Sequence, residues 1–306
     1  MKPDRASGFF YGVFMDTAIL NRKEPFREAV IESLGRIPIN FAEKWDFIHS
    51  DRNGSEPFAA AGVLLLLYFR RGTGSPENGS GEYCFHLIKR STQVSQPGDL
   101  SCPGGMLSPR LDGFLMPLIA HGLVPVLGGA AKEYARQRQP ETFNTLKLFL
   151  TNAVRESWEE IRLSPFNVQF LGPLPCHSLI LFRRTIFPLV GLVRNNPVYR
   201  PNHEVERIIE IPVKAFFREE NFARYQLEPA DSLRRSALNS SEFPCFVHRE
   251  SKNAQEILWG ATFHIIVRFL EILFDFKLPD LYSSPVVSRT LQNSYIMGSR
   301  RQSGGS

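Results

Sequence analysis

Apolar residues along this chain follow two rhythms: short continuous runs, and longer stretches in which they recur every three or four positions. Ala60 to Phe69 is almost wholly apolar, which predicts a strand buried on both faces. Tyr83 to Ile88, Val168 to Leu171, Leu179 to Phe182, Ile186 to Val193 and Ile208 to Ile211 are further candidate strands. Helical spacing marks Phe26 to Leu34, Leu146 to Ile161 and Thr262 to Phe274. Strands with helices on both sides predict an α/β/α sandwich around a mixed sheet. Residues 1–56 read as an N-terminal extension that includes a turn at Asn53-Gly54, and residues 57–282 as one elaborated domain. Residues 283–306 turn polar and read as a flexible tail.

The second of these helical stretches, Leu146 to Ile161, carries the chemistry. Leu146, Phe149, Leu150, Ala153, Val154, Ser157 and Ile161 share one face, which leaves Asn152, Glu156, Glu159 and Glu160 on the other. An oxygen-rich cluster of that kind suits Mg²⁺, although a solvated acidic face has the same composition. Arg155 precedes Glu159 by one helical turn and can hold that carboxylate through a charge-assisted bond. Upstream, Pro97 to Gly105 forms a glycine-rich loop after the Tyr83 to Ile88 strand, where backbone N–H groups can approach a phosphate. Loop and helix together suggest a metal-dependent phosphate enzyme.

These segments resemble the Nudix hydrolases, whose box runs Gly, five residues, Glu, seven residues, then Arg-Glu-U-x-Glu-Glu-x-Gly-U, with U a bulky apolar residue. Gly105 matches the opening glycine, and Arg155, Glu156, Glu159, Glu160 and Leu163 match the second half. The coenzyme A diphosphatase branch is the nearest likeness, through Leu87 to Ser91, Pro97-Gly98 and Cys102-Pro103-Gly104-Gly105, and downstream through Leu171 to Pro175, Pro188 to Gly191, Glu204-Val205, Ile211-Pro212 and Ile257 to Thr262. The resemblance implies the Nudix sandwich and catalysis by Glu156, Glu159, Glu160, Arg155 and Glu204. Mg²⁺ or Mn²⁺ would be held by Glu156, Glu159 and Glu160, and substrate by Arg90, Ser91, Pro103, Gly104 and Gly105. Coenzyme A, acyl-coenzyme A or a related nucleoside diphosphate derivative is the implied substrate.

Several positions depart from the pattern. Counted from Gly105, the box's Arg would stand at position 119, whereas it is Arg155, so 36 residues are inserted, at about 106–141. The first Glu of the box has no secure counterpart. Arg162 replaces the glycine that ends the helix, so its left-handed turn must form differently; Cys102 replaces Phe, and Arg207 an acidic residue. These changes motivate an alternative, a ligand-binding or regulatory protein with little or no turnover. The inserted Phe114 to Leu127 is apolar, and three readings stay open: a packed helix or homodimer contact, a lid or groove for a lipophilic substrate, or membrane-surface contact.

Composition narrows the setting. Four cysteines without zinc spacing or disulfide-scaffold density read as reduced, and Phe9 to Leu20 makes a poor secretory segment, so the cytoplasm is the expected compartment. No run is long enough to be read as a transmembrane segment. The formal charge of +5 suits a polyanionic small substrate, and neither an aromatic platform nor a zinc-finger spacing points to specific nucleic-acid binding. His121, His177 and His264 read as structural rather than as ligands.

Overall fold

The computed structural model describes residues 15–50, 58–72, 81–179, 183–229, 241–251, 254–282 and 284–291. In chain order these form helices α1 (Lys23–Arg36) and α2 (Phe41–Ser50), and strands β1 (Ala59–Arg71), β2 (Gly81–Arg90), β3 (Leu100–Ser101) and β4 (Gly104–Met106). Helices α3 (Pro109–Ala120), α4 (Gly129–Arg136) and α5 (Pro140–Ile161) follow. Strands β5 (Val168–Pro173), β6 (His177–Leu179), β7 (Arg184–Val193), β8 (Val205–Pro212), β9 (Phe222–Pro229), β10 (Ser241–Ser251) and β11 (Ala254–Trp259) lead to helix α6 (Gly260–Phe274) and strand β12 (Val286–Leu291).

The main sheet is mixed and runs β3-β2-β1-β7-β5, with β8 also on β2, β4 on β1 and β6 on β7. Strand β1 pairs parallel to β7 and antiparallel to β2, so it is central, and Leu64 to Leu67 are completely buried. That burial on both faces explains the continuous apolar run. Side chains alternate across the sheet: Tyr83 meets Phe69 of β1 and Phe26 of α1, and Phe85 meets Phe269 of α6. On the opposite face Phe187 stacks on Phe149 of α5 at 3.6 Å between ring centroids and meets Phe41 of α2. The fold is therefore mixed α/β with helices on both faces of the sheet.

Helix α1 buries Phe26, Val30 and Leu34, spaced four apart, so it joins the same core as the sheet. A Cβ added at Gly172 of β5 would lie 2.4 Å from Leu34, so α1 and β5 pack backbone-close. Helix α5 approaches β1 equally closely at Gly62, where a Cβ would meet Asn152 Oδ1 at 2.6 Å and the Phe149 carbonyl at 2.8 Å. Gly62 instead donates its N–H to Asn152 Oδ1 at 2.8 Å.

A second sheet, β11-β10-β9-β12, lies beyond the strands expected from the sequence. Its strands lack continuous apolar runs: β10 contains Pro244 and charged residues, Phe222, Phe246 and Leu258 turn into the main core, and a small separate cluster of Ala223, Tyr225, Cys245 and Val247 is buried on the other face. The tail expected from residue 283 is corrected in part, because Val286–Leu291 is strand β12, parallel to β9. Pairing to a strand some sixty residues upstream leaves no local signal in a short polar segment. Residues 1–14, the Asn53-Gly54 turn, residues 180–182 of the expected Leu179 to Phe182 strand, and 292–306 lie outside the described residues.

Gly62→Ala is expected to destabilise the fold by about 1–3 kcal/mol, because neither the α5 backbone nor the Asn152 amide can yield without moving the helix. Chemical denaturation of the variant beside the unaltered protein measures it, and an unchanged midpoint would refute the close-approach argument.

Candidate active site

Strand β4 lies antiparallel to β1, with Gly104 opposite Val63 and Gly105 opposite Gly62. The α5 segment carrying the carboxylates lies against this glycine pair. Gly104 has φ +146°, and a Cβ there would lie 2.3 Å from the Gly62 carbonyl oxygen, so backbone shape and space both require glycine. At Gly105 a Cβ would stand 2.6 Å from the Glu156 carboxylate, so the missing side chain opens a cradle for that group. Glu160 Oε2 accepts the Gly104 N–H at 2.9 Å. Both carboxylates thus face a bare strip of backbone.

Burial dominates their electrostatics. Glu160 is buried, and desolvation pushes its carboxyl up to about 8; Glu156 and Glu204 push the same way, while the Gly104 N–H and Arg90 oppose them. Glu156 is also raised by burial, partly offset by Arg155. Negative charge here exceeds what the protein's own donors neutralise. A hard cation resolves such an excess, and Glu156 and Glu160, i,i+4 neighbours at a cradle that a Cβ would fill, fit one. Glu159 is placed differently, half-exposed with Oε2 accepting from Arg155 Nη1 at 2.8 Å. Among the described residues no three acidic, histidine or cysteine side chains are gathered as a closed metal site, so an ion here would need waters or other oxygens to complete its shell.

Arg155 organises the outer side of this cluster. It reaches Glu159, as their spacing predicts, and also Glu156 Oε1 at 2.8 Å and Asp112 Oδ1 at 2.7 Å. Burial works against its charge, yet the bonds to Asp112 and Glu159 and the field of Glu156 hold its pKa above the ordinary arginine range. Asp112, fully buried on α3, also accepts from Asn152 Nδ2 at 3.1 Å and the Ser108 N–H at 2.7 Å. Asn152 completes the link by donating to the Met106 carbonyl at 3.1 Å. The insertion is therefore anchored in the site itself.

The remaining sequence-predicted residues border this centre. Ser91 Oγ donates to the His203 carbonyl at 2.6 Å and its N–H to the Glu204 carbonyl at 2.9 Å, while the Asn202 N–H reaches the Glu160 carbonyl at 2.8 Å. That arrangement ties the Glu204 loop to the end of α5. Pro103 gives its carbonyl to the Leu64 N–H, a structural contact. Arg90 folds over its own loop, with Nε donating to the Ser95 carbonyl at 2.8 Å, and its backbone is closed by bonds with Gly98 and Asp99. From β12, Arg289 donates to Asp99 Oδ1 at 3.0 Å and to the Pro97 carbonyl at 2.6 Å and so clamps this loop.

Three departures from the expected pattern find a structural explanation. Arg162 itself adopts the left-handed turn, with φ 56° and ψ 29°, so helix α5 ends as a glycine would end it. Arg207 forms a two-pronged ion pair with Glu250 at 2.9 and 2.8 Å and reaches Glu256, which joins the two sheets rather than entering the site. Cys102 is buried, and desolvation pushes its thiol up to about 12. All four cysteines are free. His177 and His264 stack on each other at 5.5 Å, away from the carboxylates, while His121 is exposed.

No family model matches the chain. A stretch of 147 residues, 47% of this chain, is 31% identical to NudL of Pectobacterium atrosepticum. That relative is an uncharacterized Nudix hydrolase. The chain spans 64% of the length of this curated relative. Solved structures with a likeness include a Nudix hydrolase from Alicyclobacillus acidocaldarius, 12% identical with a TM-score of 0.33 over 53% of this chain and 82% of that one. Another is the Caenorhabditis elegans Ap4A hydrolase in a binary complex, 13% identical with a TM-score of 0.29 over 51% of this chain and 81% of that one. Asp112, the buried partner of Arg155, was not among the site residues expected from the sequence. A signal was present, since Asp112 is the one formally charged residue between Leu111 and Ala131.

Replacing Asp112 with Ala leaves Arg155 buried without its nearest partner, so a loss of about 3 kcal/mol is expected by denaturation. A loss below about 1 kcal/mol would show that Glu156 and Glu159 hold the guanidinium unaided.

Glu160 gives a pH dependence whose sign is fixed. Its folded-state pKa of about 8 lies above the ordinary 4.5, so the folded protein binds this proton more tightly than the unfolded chain. The contribution is full below about pH 4.5 and is lost as pH rises through 8. Without divalent ions, Glu160→Gln is expected to flatten the fall in Tm across that window; parallel Tm curves for the two proteins would refute the assignment.

Proposed function

We propose that this chain hydrolyses a diphosphate linkage in coenzyme A, acyl-coenzyme A or a related nucleoside diphosphate derivative. The observation that carries the reading is the juxtaposition of half-buried Glu156 and buried Glu160 with the side-chain-free backbone of Gly104 and Gly105. The curated likeness to a Nudix hydrolase supports the reaction class, while the coenzyme A preference rests on the sequence pattern around Ser91 and Cys102-Pro103-Gly104-Gly105.

In this reading Glu156 and Glu160, with Glu159 as a third carboxylate, hold Mg²⁺ or Mn²⁺. The bound ion supplies charge neutralisation at the diphosphate oxygens and lowers the pKa of a water nucleophile. Arg155 orients Glu156 and Glu159 from the outer side, and its bond to Asp112 fixes the guanidinium. Gly104 aligns Glu160 through its backbone N–H, and the bare Gly105 position leaves the Glu156 carboxylate room. Glu204, on the loop tied to the end of α5, or a carboxylate of the helix takes the proton of the attacking water. Arg90 and Ser91 border the diphosphate, with Pro103 shaping the loop. Residues 57–282 carry all of these side chains, with α1 in the shared core and Arg289 of β12 holding the loop.

The test is hydrolysis, with and without divalent ions, of coenzyme A, acyl-coenzyme A, nucleoside diphosphate sugars and dinucleoside polyphosphates. Metal-dependent cleavage of a diphosphate is expected. Glu159→Gln and Glu160→Gln should each lower the rate by roughly two orders of magnitude or more in folded protein. Near-normal turnover in either variant would remove the mechanism, and binding of the panel without cleavage would favour a ligand-binding role.

A further inference from the structure

Helix α3 and the turn after it expose Leu111 by 43%, Phe114 by 78%, Leu118 by 39% and Leu123 by 68%. Leu111, Phe114 and Leu118 lie at i, i+3 and i+7, so they form one stripe along the outer face of the helix. The segment is not frayed. Asp112, Ile119, Val126 and Leu127 are buried beneath it, the Phe170 N–H bonds the Val126 carbonyl at 2.9 Å, and Arg194 bonds the Pro125 carbonyl at 2.8 Å. The anchored hairpin therefore presents large apolar side chains to water.

Two observations select what covers them. Side chains as exposed as Phe114 and Leu123 stand out from the surface, and two cavities, of about 300 and 480 Å³, lie elsewhere, one between Pro175 and His264 and the other between Asn40 and Thr142. A projecting stripe suits insertion into a soft apolar layer better than enclosure of a chain. Charge points the same way, because from Pro109 to Leu127 the one acid, Asp112, is buried on Arg155, leaving Arg110 as the exposed formal charge of the segment, while on the following helix Lys132 is partly buried and Glu133 is paired with Arg136. We propose that this hairpin docks the protein on an anionic lipid bilayer surface, with Phe114, Leu118 and Leu123 entering the acyl boundary and Arg110 meeting the headgroups. The proposal stands independently of the hydrolytic reading.

Co-sedimentation of the full chain with phosphatidylcholine vesicles, and with phosphatidylcholine vesicles containing phosphatidylglycerol, tests it. Binding to the anionic vesicles is expected, weakened by salt. Phe114→Ser with Leu123→Ser should reduce it by roughly tenfold or more while circular dichroism stays unchanged. Arg110→Glu should lower the preference for anionic vesicles and serves if the serine variant fails to fold. Absence of binding to anionic vesicles overturns the proposal, as does binding indifferent to both variants. A dimer in light scattering that the serine substitutions dissociate, with no vesicle binding, would assign the face to a second copy instead and also overturn it.

Discussion

A strip of backbone without side chains, formed by Gly62, Gly104 and Gly105, sets how closely α5 can lie against the sheet. Everything chemical in the molecule follows from that closeness. With a Cβ at Gly62 or Gly104 the helix or the strand would have to shift, because the added atom would come within 2.8 Å of backbone, and at Gly105 it would displace the Glu156 carboxylate. Without one, the same contact lets Asn152 grip the Gly62 N–H and Glu160 grip the Gly104 N–H. The helix is thus positioned by polar bonds to backbone at two points, about two turns apart, with Glu156 between them.

The bonding also explains why the cluster is charged yet ordered. Glu156 and Glu160 are forced into a poorly solvated corner, which raises the cost of their negative charge. Arg155 relieves part of it and is itself kept charged by Asp112, a residue contributed by the insertion. An inserted segment would ordinarily be free to vary in its packing. Here its first helix is committed to the site by one buried acid, and its outer face remains available for other contacts.

Much of this was legible in the sequence because the decisive signals are local. The i,i+4 spacing gave the Arg155 to Glu159 bond, and the apolar runs gave β1, β2, β5 and β7. The glycine-rich loop pointed to backbone chemistry at Gly104 and Gly105. What stayed hidden depends on distant partners. The role of Asp112 appears only when α3 returns to α5, and β12 gains its identity from β9 rather than from its own residues. Arg162 shows a different limit: a glycine pattern marks a required conformation, and another residue can adopt it at a cost of about 1 kcal/mol.

The clamp of Arg289 on Pro97 and Asp99 joins residues about 190 positions apart. A ribosome therefore makes the loop beside the carboxylates long before it makes the strand that holds it. Until β12 emerges and pairs with β9, that loop must rely on its own short bonds, so the site acquires its final shape only after β12 has been made. The order of manufacture thereby separates formation of the main core from completion of the site, and a chain stalled before β12 could bury its hydrophobic residues while lacking the latch on its glycine-rich loop.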